Sequence, residues 1–288
     1  MLRRLGSIWL AATAFAVGHA QSAEAQTEPA ACAEERAGAL ATPPHVGALE
    51  SLIRCPISGP GALVQLWARQ GPRTEMQRSA LVEVSGNLRD ARVFHELIRV
   101  VRTAGAPLPD RLASLRALLR LYNPTYSLSE NYLLSDEPRS TLPRITDAAE
   151  QSEGSSPLPR DYRLQIGTEL ARLASSDGDS AMRKVALRIR QGLAVSDPAS
   201  TPIAAGSVTL LAGCRNAVRL RSVADIDIPV QVHVLGAANG YRGGIKAARP
   251  SGPAEVLLAF PAGTVVATYG GREIARLTER SGSCARGG

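Results

Sequence analysis

Asp225 and Asp227 stand one residue apart in Asp225-Ile-Asp227, a spacing that sets two carboxylates on one face of an extended chain. Such a pair suits acid–base glycoside hydrolysis when held across a cleft, or oxygen ligation of calcium. Pro229 follows closely, however, and Asp-x-Asp ahead of a proline reads more readily as a turn. Past residue 25 the histidines are His45, His95 and His233, none with a second ligand at metal-binding spacing. His95 lies beside Arg92 and Arg99, and His233 alternates with Gln231, so both read as surface residues. There is no G-x-S-x-G elbow, P-loop or G-x-G-x-x-G fingerprint. Gly240-Tyr-Arg-Gly-Gly244 lies between expected strands and reads as a hairpin loop. No catalytic, cofactor or metal residue is assigned on this basis, and the chain reads as noncatalytic rather than as an enzyme.

The most suggestive surface is the stretch 122–138, which holds Tyr122, Tyr126 and Tyr132, three of the six tyrosines. Long insertions of this kind are commonly functional, and tyrosines combine a large apolar ring with a polar tip. These three are the candidate partner-binding residues. The competing reading packs Tyr122, Leu128 and Leu133 onto the neighbouring helices.

Residues 1–25 set the expected compartment. Arg3 and Arg4 precede an apolar run from Leu5 to Val17, and Ala23-Glu24-Ala25 forms an A-x-A cleavage site, so a signal peptide is expected. The run is too short for a membrane span, and the mature chain is expected to be periplasmic or extracellular with no transmembrane segment. An oxidising compartment gives meaning to an even number of cysteines: Cys32, Cys55, Cys214 and Cys284 allow three connectivities. Proximity favours Cys32 with Cys55 and Cys214 with Cys284.

Of the whole chain's net charge of +7, +6 remains after subtracting Arg3, Arg4 and Glu24, and Lys184 and Lys246 are the only lysines. The arginines are dispersed, many beside carboxylates as in Arg89-Asp90 and Glu96…Arg99, which reads as solvated helix faces rather than a nucleic-acid stripe.

Apolar residues recur at three and four from about 45 to 194, then alternate at two after about 206. The expected organisation is a signal peptide (1–25), a flexible segment (26–44), an α-helical domain (45–194), a linker (195–206) carrying Pro198 and Pro202, and a β domain (207–288). Thr74 and Gln77 form a capping-box pattern, and Asp90 and Asp110 read as N-caps. Ala-Leu doublets recur at Ala80-Leu81, Ala117-Leu118 and Ala186-Leu187, intervals close to one and two periods of about 35 to 40 residues. Gln77-Arg-Ser-Ala-Leu81, Ser114-Leu-Arg-Ala-Leu118 and Arg183-Lys-Val-Ala-Leu187 resemble the inner helices of HEAT repeats, which implies a helical solenoid, with a nonrepetitive bundle as the alternative.

Seven strands are expected, at 207–212, 217–223, 228–235, 244–248, 254–260, 264–269 and 273–278, with Gly270-Gly271 as a two-residue hairpin. Strand number and order resemble an immunoglobulin-like antiparallel β-sandwich, without its Cys…Trp…Cys signature. The resulting expectation is an exported interaction or scaffold protein with a protein partner and no nucleic acid. The alternative is a cell-wall carbohydrate-binding protein or hydrolase, for which the sheet half offers Tyr241, Phe260 and Tyr269.

Overall fold

The computed structural model describes residues 28–69, 71–123, 126, 133–134, 160–214, 216–237 and 239–278. Eight α-helices among these residues form the N-terminal part: α1 (Cys32–Leu40), α2 (Val46–Ser51), α3 (Gly59–Ala68), α4 (Glu75–Leu88), α5 (Ala91–Arg102), α6 (Leu108–Tyr122), α7 (Arg160–Ser176) and α8 (Ser180–Ser196). Their starts follow from local chemistry. Thr74 Oγ1 accepts from the Gln77 N–H at 3.2 Å, and the Gln77 side chain accepts from the Thr74 N–H at 2.9 Å, completing the capping box on α4. Asp90 accepts from the Arg92 N–H at 2.8 Å and so caps α5.

Asp110 is not the cap expected of it. Helix α6 begins earlier, with Pro107 at its N-cap position and Pro109 in the first turn, where a missing N–H costs nothing. This places Asp110 inside the first turn, buried.

A leucine- and valine-rich cluster that includes Trp67 and Phe94 fills the space between the helices. The hairpin α7–α8 joins α1–α6 partly through this cluster and partly through a polar seam. Arg102 Nε donates to Glu169 Oε2 at 2.9 Å, and the Arg111 guanidinium is paired with the Asp177 carboxylate. Phe94 and Tyr162 meet edge to face at 4.7 Å. The doublets Ala80-Leu81 and Ala117-Leu118 are buried, whereas in the third only Ala186 is buried and Leu187 faces outward.

Residues 26–44, expected to be flexible, include helix α1. The Cys32–Cys55 disulfide ties that helix to the turn after α2, and Glu28 accepts the N–H groups of Ile57 and Ser58. Closing this 23-residue separation contributes about 3 kcal/mol on loop-entropy grounds.

Among the described residues the C-terminal part holds seven strands in two antiparallel sheets. The first sheet has the order β1 (Val208–Ala212), β2 (Ala217–Ser222), β5 (Ala254–Ala259). The second has the order β4 (Gly240–Ile245), β3 (Ile228–Val234), β6 (Val265–Tyr269), β7 (Arg272–Leu277). Alternation decides which side is buried: Val218, Leu220 and Ser222 point inward while Arg219 and Arg221 point out, and Val230 and Val232 are buried against outward Gln231. Inward residues of both sheets belong to a second apolar cluster, to which α8 contributes Ala194.

Strand β4 corrects the expectation of a loop at Gly240–Gly244. This glycine-rich run pairs along Ile228–His233, and a Cβ on Gly240 would lie 2.5 Å from the Val232 carbonyl oxygen, so close backbone approach favours glycine there. Gly270 and Gly271, at φ of 56° and 75°, make the hairpin turn between β6 and β7 as expected.

The segment 195–206 connects the two parts but is not a solvated tether. Helix α8 continues to Ser196, Pro198–Ser200 form a 3-10 turn, and Ser200 and Thr201 are buried. It is gripped from both sides: a Cβ on Gly167 of α7 would lie 2.4 Å from Ser200 O, and one on Gly270 would lie 2.9 Å from Ala199 N.

Candidate functional site

Helices α3 and α5 end side by side, and the loops that leave them shape the molecule's candidate site. The chain turns at Gly71-Pro72 after α3 and at Gly105-Ala-Pro107 after α5. Between the two turns lies a cleft of about 510 Å³. Trp67, Val100 and Ala106 contribute apolar lining, and Arg69, Arg73, Arg78 and Arg99 bring four guanidinium groups to it.

Arg73 organises the floor. It donates to Leu66 O at 2.6 Å and Arg69 O at 2.7 Å, serving carbonyls at the end of α3, and to Asp110 Oδ2 at 2.5 Å at the start of α6. Its guanidinium carbon also lies 5.8 Å from the Trp67 ring centre, within cation–π range. The Trp67 indole N–H donates to Ser85 Oγ at 3.0 Å, which fixes the ring plane. Arg78 donates to Arg73 O at 2.6 Å. At the rim, Arg99 makes a two-pronged pair with Glu96, with contacts of 2.9 and 2.5 Å. The exposed Arg69 side chain makes one hydrogen bond among the described residues, a donation to Ala41 O at 3.3 Å.

The residues singled out from the sequence lie elsewhere. Tyr122 and Tyr126 are buried and stacked, with ring centres 6.5 Å apart, so neither offers the exposed ring that partner recognition was expected to use. Tyr132 lies outside the described residues. The Tyr122 hydroxyl donates to Asp197 Oδ2 at 2.6 Å, and Arg163 donates to the same oxygen at 2.8 Å. Burial first, then the Asp197 hydrogen bond and charge, push the Tyr122 phenol well above its ordinary value.

Asp225 and Asp227 are drawn into the helix–sheet junction. Asp225 accepts from the buried Arg190 of α8 at 2.6 and 2.7 Å. Asp227 accepts from Lys246 Nζ at 2.7 Å and the Ala247 N–H at 2.8 Å. Burial raises the Asp227 carboxyl, but Lys246 and the Ala247 N–H outweigh it and hold the group below the usual range. Gln191 completes the clasp: its side chain accepts from the Asp227 N–H at 2.7 Å and donates to Asp227 O at 3.2 Å. His45 and His95 are exposed, and His233 is half-buried on β3.

Neither protein-family models, nor curated proteins, nor solved structures match this chain.

Cys32 and Cys55 are joined as expected from their proximity, Cys214 is also disulfide-bonded, and Cys284 lies outside the described residues. Glu28, Cys32 and Cys55 cluster closely, but the two sulfurs are bonded to each other and Glu28 holds backbone N–H groups, which leaves no thiolate donor there. No helix among the described residues is long and apolar enough to cross a membrane.

The arginine cleft escaped sequence reasoning because its four cations are scattered over thirty residues beside carboxylates, as ordinary helix surfaces are. A signal was nonetheless present. Two turns combining glycine and proline, Gly71-Pro72 and Gly105-Ala-Pro107, follow the ends of α3 and α5, and both line the cleft.

Proposed function

We propose that the chain is an exported, noncatalytic interaction protein that takes a protein partner. In this reading the helices stack as a HEAT-like array that presents the partner surface. The two sheets close as an immunoglobulin-like sandwich that acts as spacer or second contact. The observation that carries the reading is the cleft between the α3–α4 and α5–α6 loops, whose lining joins four arginines to apolar residues. Arginine beside buried aromatic and aliphatic surface is the composition favoured at binding hot spots.

Other features support it. The buried acidic groups hold the fold together: Asp177 pairs with Arg111, and Glu169 pairs with Arg102 and Arg172. The Cys32–Cys55 disulfide suits an oxidising compartment outside the cytosol. The aromatics that would make a sugar-binding platform are drawn inward, with Phe260 and Tyr269 buried and Tyr241 half-buried.

The test places a photo-crosslinking residue at Ala104, exposed on the α5–α6 loop, and at Val223, exposed at the end of β2, in the full chain in envelope extract. A protease-sensitive adduct from position 104 that disappears in an Arg69→Gln background is the expected result. Retention on cell-wall polysaccharide that is lost on Tyr241→Ala would overturn the reading in favour of a sugar binder.

A further inference from the structure

The cleft's chemistry narrows what kind of peptide would enter it, and the inference rests on the reading of this face as a protein-binding site. Four arginines and one carboxylate, Asp110, line the cleft; Asp110 pairs with Arg73 and Glu96 with Arg99, while the exposed Arg69 at the mouth favours an anion. A phosphate alone would leave uncovered the exposed apolar atoms of Ala68, Pro72 and Pro107 in the lining, which favour an apolar body beside the charge. The volume of about 510 Å³ lies in the range of sites that enclose small ligands or a few side chains.

Arg69 is the group best placed to receive the charge. A guanidinium has five N–H donors in a planar fork, and among the described residues Arg69 commits one of them, to Ala41 O. It is exposed at the mouth, while Arg73 beneath it is committed to Asp110 and to two carbonyls. A planar carboxylate matches such a fork two oxygens to two N–H groups.

We propose that this cleft binds an apolar peptide segment bearing a carboxylate, with Arg69 as the residue that receives it. The carboxylate has two sources in a polypeptide, the chain terminus and an acidic side chain, and the assay separates them. The full chain is titrated calorimetrically with three probes: a short apolar peptide ending in a free carboxylate, the same peptide amidated, and the amidated peptide with one internal glutamate.

At least one carboxylate-bearing peptide is expected to bind about tenfold more tightly than the neutral one. Arg69→Gln should remove that advantage, and Arg69→Lys should retain part of it, with melting midpoints of both variants matching the parent. Raising salt from low to physiological strength should weaken the charged probes selectively. Equal binding of all three peptides would overturn the carboxylate assignment while leaving a protein-binding cleft in place. Absence of binding by both charged peptides would also overturn it, and the crosslinking result at position 104 then decides separately whether the face meets a protein.

Discussion

Replacing Asp177 with alanine strips the guanidinium of Arg111 of its carboxylate in a place that water does not reach. The Arg111 side chain is 2% exposed and that of Asp177 6%. Arg111 would keep its two donations to Val101 O, at 3.0 and 2.8 Å, but its charge would be buried without a counter-ion. Breaking a buried pair from one side costs about 3–5 kcal/mol. For a chain of this size each kcal/mol lowers the melting midpoint by about 2–4 °C, so the fall should be about 6–20 °C. Arg111→Met strands the Asp177 carboxylate instead and should cost a similar amount. The double variant removes both charges and leaves mainly the Val101 carbonyl short of donors, a loss of about 1–3 kcal/mol. It should therefore be more stable than either single variant. Urea unfolding followed by helical circular dichroism measures all four proteins. Additive losses, or an Asp177→Ala cost below about 1 kcal/mol, would refute the reasoning that this pair sits in a low-dielectric seam.

Three further outcomes follow from the same geometry. Asp177, Glu169 and Asp227 are each raised by burial yet held lower overall by their cationic and backbone partners. Their stabilisation is full above the unfolded carboxylate values near about 4 and is lost as pH falls through the folded values. Denaturant midpoints should thus hold steady above about pH 5 and drop below about pH 4; a midpoint that rises on acidification would contradict the sign. Replacing Cys32 and Cys55 by serine should cost about 3 kcal/mol and loosen α1 first, read as faster amide exchange over 32–40, and unchanged exchange there would count against the tie. Gln191→Ala removes two hydrogen bonds to the Asp227 backbone, should cost about 1–2 kcal/mol, and should open the 198–206 segment to protease; an unaltered cleavage pattern would mean that the clasp lies elsewhere.

Much of the architecture could be read from local chemistry, and what could not depended on neighbours distant in sequence. The Thr74/Gln77 box and the Asp90 cap are legible because donor and acceptor lie within one helical turn. Alternation in β2 and β3 is legible because burial on one side of a sheet imposes a period of two. Strand β4 is not, since Gly240, Gly243 and Gly244 carry no side-chain pattern and their pairing is set by β3. Helix α1 was hidden for a related reason: Glu28 and Cys32 find their partners at Ile57, Ser58 and Cys55. The buried segment after α8 reads as a linker because its prolines and small residues fit a tether as well as a tight passage past Gly167 and Gly270. The same limit applied to the site. Tyr122 reads equally as a recognition surface or as packing on the helices, and only Asp197, seventy-five positions later, decides for burial by accepting its hydroxyl; the cleft arginines read as helix decoration because two distant loops bring them together.

The helices and the sheets bury two distinct apolar clusters, joined by the Arg190 and Gln191 contacts to Asp225 and Asp227 and by Ala194 of α8, which packs in the sheet cluster. Amide hydrogen exchange of Val232→Ala tests this division most directly, because Val232 is fully buried on β3 between β4 and β6. The substitution should cost about 2 kcal/mol, a roughly thirtyfold rise in global-opening exchange. That rise is expected in β2, β3 and β6, with α5 and α6 exchanging at their original rates. An equal acceleration in both sets of amides would show one shared cooperative core and contradict it.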